Sequence, residues 1–248
     1  MKNKYAAVAA LAAFAASGTA FAQDVSVTTT WAYESAYVFR GVQFAENSFQ
    51  PDINVSYGGW NAGAWANLPI GDDNVSYGDE LDIYGSYSFQ ATELIGASVG
   101  ITYYAFPDAA SGFFDTFEED SGDGANTVEI FASASFAAPF GPSLTVYHDF
   151  MFDTVTFEGS ASASYAFSDD LSASFSPTVG HVIDDSVGMD YTYYGASADL
   201  SKTFSDTASG SIGVRWSGSS EETLFDEPLQ GTFKKNQVWF GINFSAGF

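Results

Sequence analysis

The chain has 248 residues and a strongly acidic balance, with 31 aspartates and glutamates against 7 lysines and arginines and a formal net charge of −24. This charge excludes nucleic acid and anionic lipid surfaces as favourable partners and makes cations good ones. Solvation of exposed loops would explain the same acidic excess. No cysteine is present, which excludes disulfides and thiolate metal sites.

The N-terminus predicts a cleaved secretory signal peptide over residues 1–22. Lys2 and Lys4 give a positive start, residues 6–16 form an apolar run, and Ala20-Phe21-Ala22 is a small-x-small cleavage site. The apolar run is too short and too rich in alanine for a membrane anchor. We therefore expect residues 23–248 to be the mature chain.

The mature chain alternates between apolar and polar residues in twelve segments, which predicts strands with two different faces. In the first segment the odd positions, from Val25 through Trp31 to Phe39, share one face. The segments are Val25–Phe39, Asp52–Tyr57, Trp60–Leu68, Asp79–Phe89, Leu94–Phe106, Asn126–Phe136, Ser143–Phe150, Val155–Phe167, Leu171–Val182, Asp190–Phe204, Thr207–Ser217 and Gln237–Phe248. The prediction is an all-β fold, a transmembrane antiparallel β-barrel of twelve strands.

The connections between these segments alternate between short and long. The tight turns are Gly58-Gly59, Gln90–Glu93, Ala137–Pro142, Ser168–Asp170 and Ser205-Asp206. The longer loops are Gly41–Pro51, Pro69–Gly78, Pro107–Ala125, Ile183–Met189 and Gly218–Lys235, and the short Met151–Thr154 is the exception. Short periplasmic turns and long outer loops are the rule for outer-membrane barrels. The pattern predicts that both termini are periplasmic.

The last segment carries the sharpest alternation in the chain. From Val238 to Phe248 every second residue is apolar, and the final residue is aromatic. The segment is long enough to cross a bilayer as a tilted strand of ~9–11 residues. An aromatic C-terminal residue of this kind resembles the address that the barrel-assembly machinery reads. Outer-membrane lipid and this machinery are the expected partners.

The inward faces carry an excess of acids near the predicted extracellular ends. These acids are Glu34, Asp52, Glu80, Asp82, Glu129 and Glu158, with Arg40 and Arg215 as the inward bases. Carboxylates in a narrow bore attract cations and repel anions. The interpretation is a channel for passive diffusion of small polar solutes with a preference for cations. The alternative is a structural or surface-interaction barrel whose acids pair with the arginines and close the lumen. One such pair would join Arg40 to Asp52.

The loop Pro107–Ala125 is rich in carboxylates and is the predicted candidate for a plug. Glu118, Glu119, Asp120 and Asp123 could bind divalent cations through their oxygen ligands, although they do not fit the EF-hand register. A solvated acidic loop is the simpler interpretation. No cofactor is predicted.

Two histidines, His148 and His181, leave a lipid-modifying enzyme as the last alternative. Both lie near the predicted extracellular ends of their strands, where outer-membrane lipases and deacylases place a histidine and a serine. No Gly-x-Ser-x-Gly elbow accompanies them, so we expect no enzyme activity.

Several stretches resemble a family of outer-membrane proteins described as TorF-type porins. They are Ser35–Val42, Asn61–Asn67, Glu80–Tyr87, Tyr103–Pro107 and Thr127–Ile130. The resemblance implies a barrel with a pore but names no solute. It adds Trp65 and Tyr104 to the residues expected to line the bore, with Arg40, Gly41, Glu80, Asp82 and Glu129. Phe39 departs from the small polar residue expected there.

Overall fold

The computed structural model describes residues 25–71, 78–110, 112–116, 124–185, 190–221, 232–233 and 236–248. The predicted signal peptide lies outside these ranges. Every regular element within them is a β-strand. The described part of the chain contains no helix that could span a membrane.

The described residues contain fourteen strands, which build a barrel wall of twelve strands. The strands are β1 Val25–Phe39, β2 Val42–Tyr57, β3 Trp60–Pro69, β4 Glu80–Thr92, β5 Ile95–Ala105, β6 Thr127–Phe136, β7 Ser143–Asp149, β8 Thr154–Ser160, β9 Ala163–Ala166, β10 Leu171–Asp184, β11 Tyr191–Ser205, β12 Ala208–Ser219, β13 Thr232–Phe233 and β14 Gln237–Gly247. Strands β8 and β9 both pair with β10 and form one wall strand interrupted at residues 161–162. Strand β13 pairs with the start of β2 and, among the described residues, with no other strand.

The wall closes because the first and last strands are hydrogen-bonded to each other. Sequential antiparallel pairing runs from β1 to β12, and β14 then joins β12 to β1. Trp31 lies opposite Phe244, and the backbone N–H of Phe248 donates to the carbonyl of Val27 at 2.8 Å. The prediction of an all-β, twelve-stranded antiparallel barrel is confirmed.

The outer face of the barrel is apolar. Large side chains such as Ile101, Leu144, Ile212 and Val238 are about half exposed or more, and they alternate with polar or small inward residues. The rings of Trp31 and Phe244 stack on this face at 5.9 Å between centroids. A continuous apolar band of this kind suits a hydrocarbon environment.

The two ends of the barrel differ in their connections. Val25 lies opposite Tyr57, so the N-terminus, the C-terminus and the turns at 58–59, 93–94, 137–142, 167–170 and 206–207 share one end. We call this the termini end and the opposite one the far end. The predicted tight turns all lie at the termini end.

Strand β2 corrects the predicted boundaries. It begins at Val42 instead of Asp52, so most of the predicted loop Gly41–Pro51 is strand. The alternation was missed because Asn47 adopts a φ of 48° and interrupts the period of two. The ladder between β1 and β2 also shifts between Tyr37 and Val38.

Candidate functional site

The strands β1 and β2 leave the wall before they reach their common turn. The ladder of β1 with β14 ends at Glu34 opposite Gly241, and the ladder of β2 with β3 ends at Ser48 opposite Pro69. Residues 36–46 therefore form a two-stranded extension that pairs with itself and, at residues 42–43, with β13. We call residues 36–46 the inward hairpin.

A two-residue turn closes the inward hairpin. Phe39 lies opposite Val42, and the residues between them, Arg40 and Gly41, have φ values of 48° and 82°. Positive φ at both central positions is the requirement of a type I′ turn. Gly41 also fits tightly, because a Cβ there would come within 2.8 Å of the Tyr193 Cβ.

The tip of the inward hairpin lies across the bore. Arg40 reaches Glu129 on β6 and the ring of Tyr147 on β7. In the closed order of strands β7 is six steps from β1, which is roughly 29 Å along the wall at ~4.8 Å per step. An arginine side chain cannot span that arc, so the hairpin itself must cross the interior.

The guanidinium group of Arg40 is held on several sides. Its Nη1 and Nη2 donate to the two carboxylate oxygens of Glu129 at 2.6 and 2.9 Å. The group lies 4.4 Å from the ring centre of Tyr147 and 4.6 Å from that of Phe39. The hydroxyl of Tyr104 donates to Glu129 Oε1 at 3.1 Å. A bidentate ion pair with aromatic faces is the strong form of arginine recognition.

The opposite side of the hairpin tip packs on β10 and β11. Val42 forms a buried cluster with Val182, Tyr191 and Tyr193, and Phe44 packs against it. The hydroxyl of Tyr193 donates to Glu158 at 2.6 Å, which ties this cluster to a predicted inward acid on β8. Contacts on both sides of the barrel hold the tip in place.

Aromatic rings continue this packing below the tip. Tyr37 lies 5.6 Å from Trp65, and Phe39 lies 6.3 Å from Tyr104. Trp65 and Tyr104 both lie opposite Asp82 in their ladders, so all of these rings face inward. The prediction that Tyr37 and Phe39 share the outer face of Trp31 is wrong, because β1 leaves the wall after Glu34 and both faces of the inward hairpin then lie inside the barrel.

The acids at this level are shielded from water. Glu129, Glu80 and Asp82 are 4, 7 and 8% exposed, and Asp149 on β7 is buried beside them. Tyr37 and Asp82 lie next to Glu80. Carboxylates that line a wide aqueous pore would be exposed to solvent. The inward hairpin and its neighbours therefore fill the bore at this level.

A second ion-pair network lies against the wall near the closure of the barrel. Arg215 on β12 donates to Asp199 at 2.6 Å and to Glu34 at 3.4 Å. A Cβ at Gly213 would come within 2.2 Å of the Asp199 carboxylate, and Gly241 makes similar room for Glu34. Two glycines thus let two carboxylates and one guanidinium lie flat on the inner wall.

Asp52 belongs to a third network, which corrects the predicted pair with Arg40. The hydroxyl of Tyr84 donates to Asp52 at 2.8 Å, and Asn54 donates to that hydroxyl at 3.1 Å. Asn54 and Asn61 exchange amide hydrogen bonds at 2.8 and 2.9 Å. Arg40 pairs with Glu129 instead, because the inward hairpin carries it across the bore and away from Asp52.

The structure has a cavity at the termini end of the barrel. It has a volume of about 410 Å³ and a lining of small and polar residues. These are Gly58, Gly59, Ser88, Phe89, Gln90, Gly96, Ala97, Ser98, Ser133 and Ser135. We call this cavity the vestibule.

The loop predicted as a plug takes a different course where the structure describes it. The hydroxyl of Tyr103 donates to the carbonyl of Phe113, and the two rings lie 5.3 Å apart. Tyr103 lies opposite Val128 and next to the inward Tyr104, which puts it on the outer face. Residues 112–114 therefore lie on the outside of the rim, and the inward hairpin occupies the bore.

The remaining predicted sites gain no support from geometry. Glu118, Glu119, Asp120 and Asp123 lie outside the described residues. Within the described ranges no group of three or more candidate ligands could hold a metal ion. His148 lies opposite the outward Ile130, and the exposed His181 lies next to the buried Val182, so both histidines face outward.

Comparison with solved structures shows that the fold is a β-barrel of the outer-membrane porin type. A KdgM porin shares 11% identity, covers 90% of this chain and 99% of its own, and has a TM-score of 0.53. The COG4313 outer membrane channel from Pseudomonas putida F1 shares 10% identity over 92% of this chain and 97% of its own, also at 0.53. A NanC porin shares 10% identity over 89% and 98%, at 0.51. At sequence identities of 10–11%, this structural similarity shows the fold alone.

By sequence, the chain belongs to the family described as "Bacterial protein of unknown function (Gcw_chp)", which matches residues 12–214. A search of curated proteins found no match. The predicted likeness to outer-membrane barrels is confirmed in this coarser form, and the TorF-type name stays a prediction.

Sequence reasoning missed several residues of this interior. Asp149, Asp199, Tyr147 and Tyr193 were not among the predicted lining residues, although each takes part in a described contact. The alternation of β11, with Ala198 and Leu200 around Asp199, was a sufficient signal for that acid. No local signal marks Tyr147 as a partner of Arg40, since the two are distant in sequence.

Proposed function

We propose that this protein is an outer-membrane channel for passive diffusion of small polar solutes. The observation that carries the proposal is a closed barrel with an apolar outer face and a polar interior that opens into a vestibule. The porin neighbours support it through their shared fold. On this proposal the signal peptide, residues 1–22, is removed, and outer-membrane lipid and the barrel-assembly machinery are the partners.

The finer proposal is a preference for cations. Inward carboxylates at positions 34, 52, 80, 82, 129, 149, 158 and 199 outnumber the inward guanidinium groups of Arg40 and Arg215. In a low-dielectric bore the uncompensated negative charge lowers the energy of a cation and raises that of an anion. Small cations and neutral polar solutes are therefore the proposed cargo.

The test of selectivity is the reversal potential of the purified protein in a planar bilayer under a KCl gradient. We expect a cation-signed potential that shrinks in Asp52→Asn, because Asp52 is a half-buried inward acid. The matched control is Asp169→Asn, an exposed acid in the tight turn at the termini end, which should leave the potential unchanged. An anion-signed potential would contradict the charge argument.

A second candidate function is a structural or surface-interaction barrel with a closed lumen. The specific observation in its favour is the inward hairpin, whose tip contacts β6, β7 and β11 across the bore. Complete absence of current, both from the wild type and from variants that release the hairpin, would favour this candidate over a channel.

A further inference from the structure

The wall of the barrel presents a ready-made pocket for a planar organic cation at Arg40. Glu129 offers both carboxylate oxygens, Tyr104 orients that carboxylate, and Tyr147 offers a ring face. These three residues come from β6, β5 and β7, and none belongs to the hairpin. A fork-shaped carboxylate beside an aromatic face is the chemistry that recognises a guanidinium group.

Further buried carboxyl groups lie beside the pocket. Asp82 lies within electrostatic reach of both Glu80 and Glu129, and its buried Oδ1 has no hydrogen-bond partner among the described residues. Removal of the Arg40 side chain would leave the buried Glu129 without its cation. Uncompensated buried charge is strongly unfavourable, so a soluble cation of matching shape should enter.

The inward hairpin is attached in a way that would let Arg40 leave. Among the described residues, 36–46 have no ladder with β14 or β3. Their backbone pairs with β13, and side chains make their contacts with the wall, through packing, the ion pair of Arg40 with Glu129 and the contact of Tyr37 with Glu80. Arg40 itself stands at the tip, in a turn with positive φ. The arginine therefore resembles a ligand on a tether more than a residue of the wall.

We propose that Glu129, Tyr104 and Tyr147 form a binding site for guanidinium-type organic cations, and that Arg40 is its tethered occupant. Occupancy of the site keeps the hairpin across the bore. A free guanidinium compound binds when the arginine is absent. The role in closing the bore rests on the proposed channel function, whereas binding to the pocket does not.

The test uses the full-length protein with Arg40→Asn and methylguanidinium as the probe. Asparagine before Gly41 suits a type I′ turn, so the variant removes the cation and keeps the hairpin geometry. Arg40→Gly, which also tolerates the positive φ, is the second variant. Methylammonium, which carries the same charge without the planar fork, is the matched control ligand.

Two readouts separate binding from gating. In planar bilayers we expect Arg40→Asn to carry several-fold more current than the wild type, and methylguanidinium to reduce that current saturably. In detergent we expect methylguanidinium, and not methylammonium, to raise the melting temperature of Arg40→Asn in a saturable way. The wild type should not respond, and neither should Arg40→Asn combined with Glu129→Gln.

Several results would overturn the proposal. One is that methylguanidinium does not raise the melting temperature of either variant saturably. Another is that methylammonium raises it equally. A third is that methylguanidinium still raises it when Glu129→Gln is added. If melting responds while neither the wild type nor the variants conduct, the binding site stands, and the channel function and the role of the site in gating both fail.

Discussion

At the scale of single residues, the protein contains two kinds of ion pair with very different surroundings. The Arg40–Glu129 pair is bidentate, and its side chains are 11 and 5% exposed. Lys202 and Asp170 meet at 2.7 Å, but both side chains are about half exposed, at 52 and 51%. Loss of one partner of the Arg40–Glu129 pair leaves a buried charge without a counter-ion, whereas water replaces a lost partner of the Lys202–Asp170 pair.

We expect Glu129→Gln to lower the free energy of unfolding by about 3 kcal/mol, at the low end for one partner of a buried pair. The matched control, Lys202→Gln, should give no measurable change. Urea unfolding in detergent micelles, followed by tryptophan fluorescence, measures both. Equal losses in the two variants would contradict the contrast.

The Lys202–Asp170 pair also has a defined dependence on pH. The hydrogen bond from Lys202 lowers the pKa of the Asp170 carboxyl in its exposed turn. A carboxyl with a depressed folded pKa contributes stability above its unfolded pKa and loses it as the pH falls through the folded pKa. Solvent screening keeps this contribution small, in line with the neutral outcome expected for Lys202→Gln.

At the scale of elements, closure of the barrel depends on the pairing of β1 with β14. Thr30 lies opposite Ser245 in this ladder, and their hydroxyl oxygens are 3.2 Å apart. Ser245 also lies opposite Ser209 on β12. The first and last strands are thus neighbours although 215 residues separate these two positions.

The absence of cysteine from the chain allows a direct test of this closure. We expect Thr30→Cys with Ser245→Cys to form a disulfide on mild oxidation, because directly opposed residues have suitable Cα separations of about 4.5–5.5 Å. Thr30→Cys with Ser209→Cys, two strands apart, should not. Gel mobility with and without reductant reports the link, and cross-linking in the second pair alone would contradict the register.

At the scale of the whole molecule, the asymmetry of the two ends predicts the orientation of the barrel. The connections at the end with both chain termini are all short, whereas the longest connections, between β3 and β4, β5 and β6, and β12 and β14, lie at the other end. Outer-membrane barrels keep their short turns on the periplasmic side. The far end, with the inward hairpin just beneath it, is then the proposed extracellular side.

Single-cysteine labelling of intact cells tests this orientation. We expect Met151→Cys, in the 150–153 connection of the far end, to react with a membrane-impermeant maleimide. Asp169→Cys, in the tight turn at the termini end, should react only after the cells are lysed. The reverse pattern would place the termini outside the cell.

The sequence alone determined the architecture and most strand positions. A period of two with one apolar face is a local signal, repeated in segments such as β6, β11 and β14, and the lengths of the turns give the order of the hairpins. The inward position of Glu34, Asp52 and Glu129 follows from the same alternation. The period of two is interrupted in β2 at Asn47 and at Phe44, so the prediction starts this strand too late. The bend of β1 into the bore after Glu34 has no local signal, so the prediction puts Tyr37 and Phe39 on the outer face.

Only the tertiary structure decided what fills the barrel. The partner of Arg40 is Glu129, 89 residues away, and it could be identified only after the hairpin had been traced across the bore. Asp52 is much closer to Arg40 along the chain, but its hydrogen-bond partner is Tyr84. Local patterns determine which face a residue takes, because the backbone imposes the alternation. They leave open which inward residues meet, because that depends on how the whole wall curves and closes.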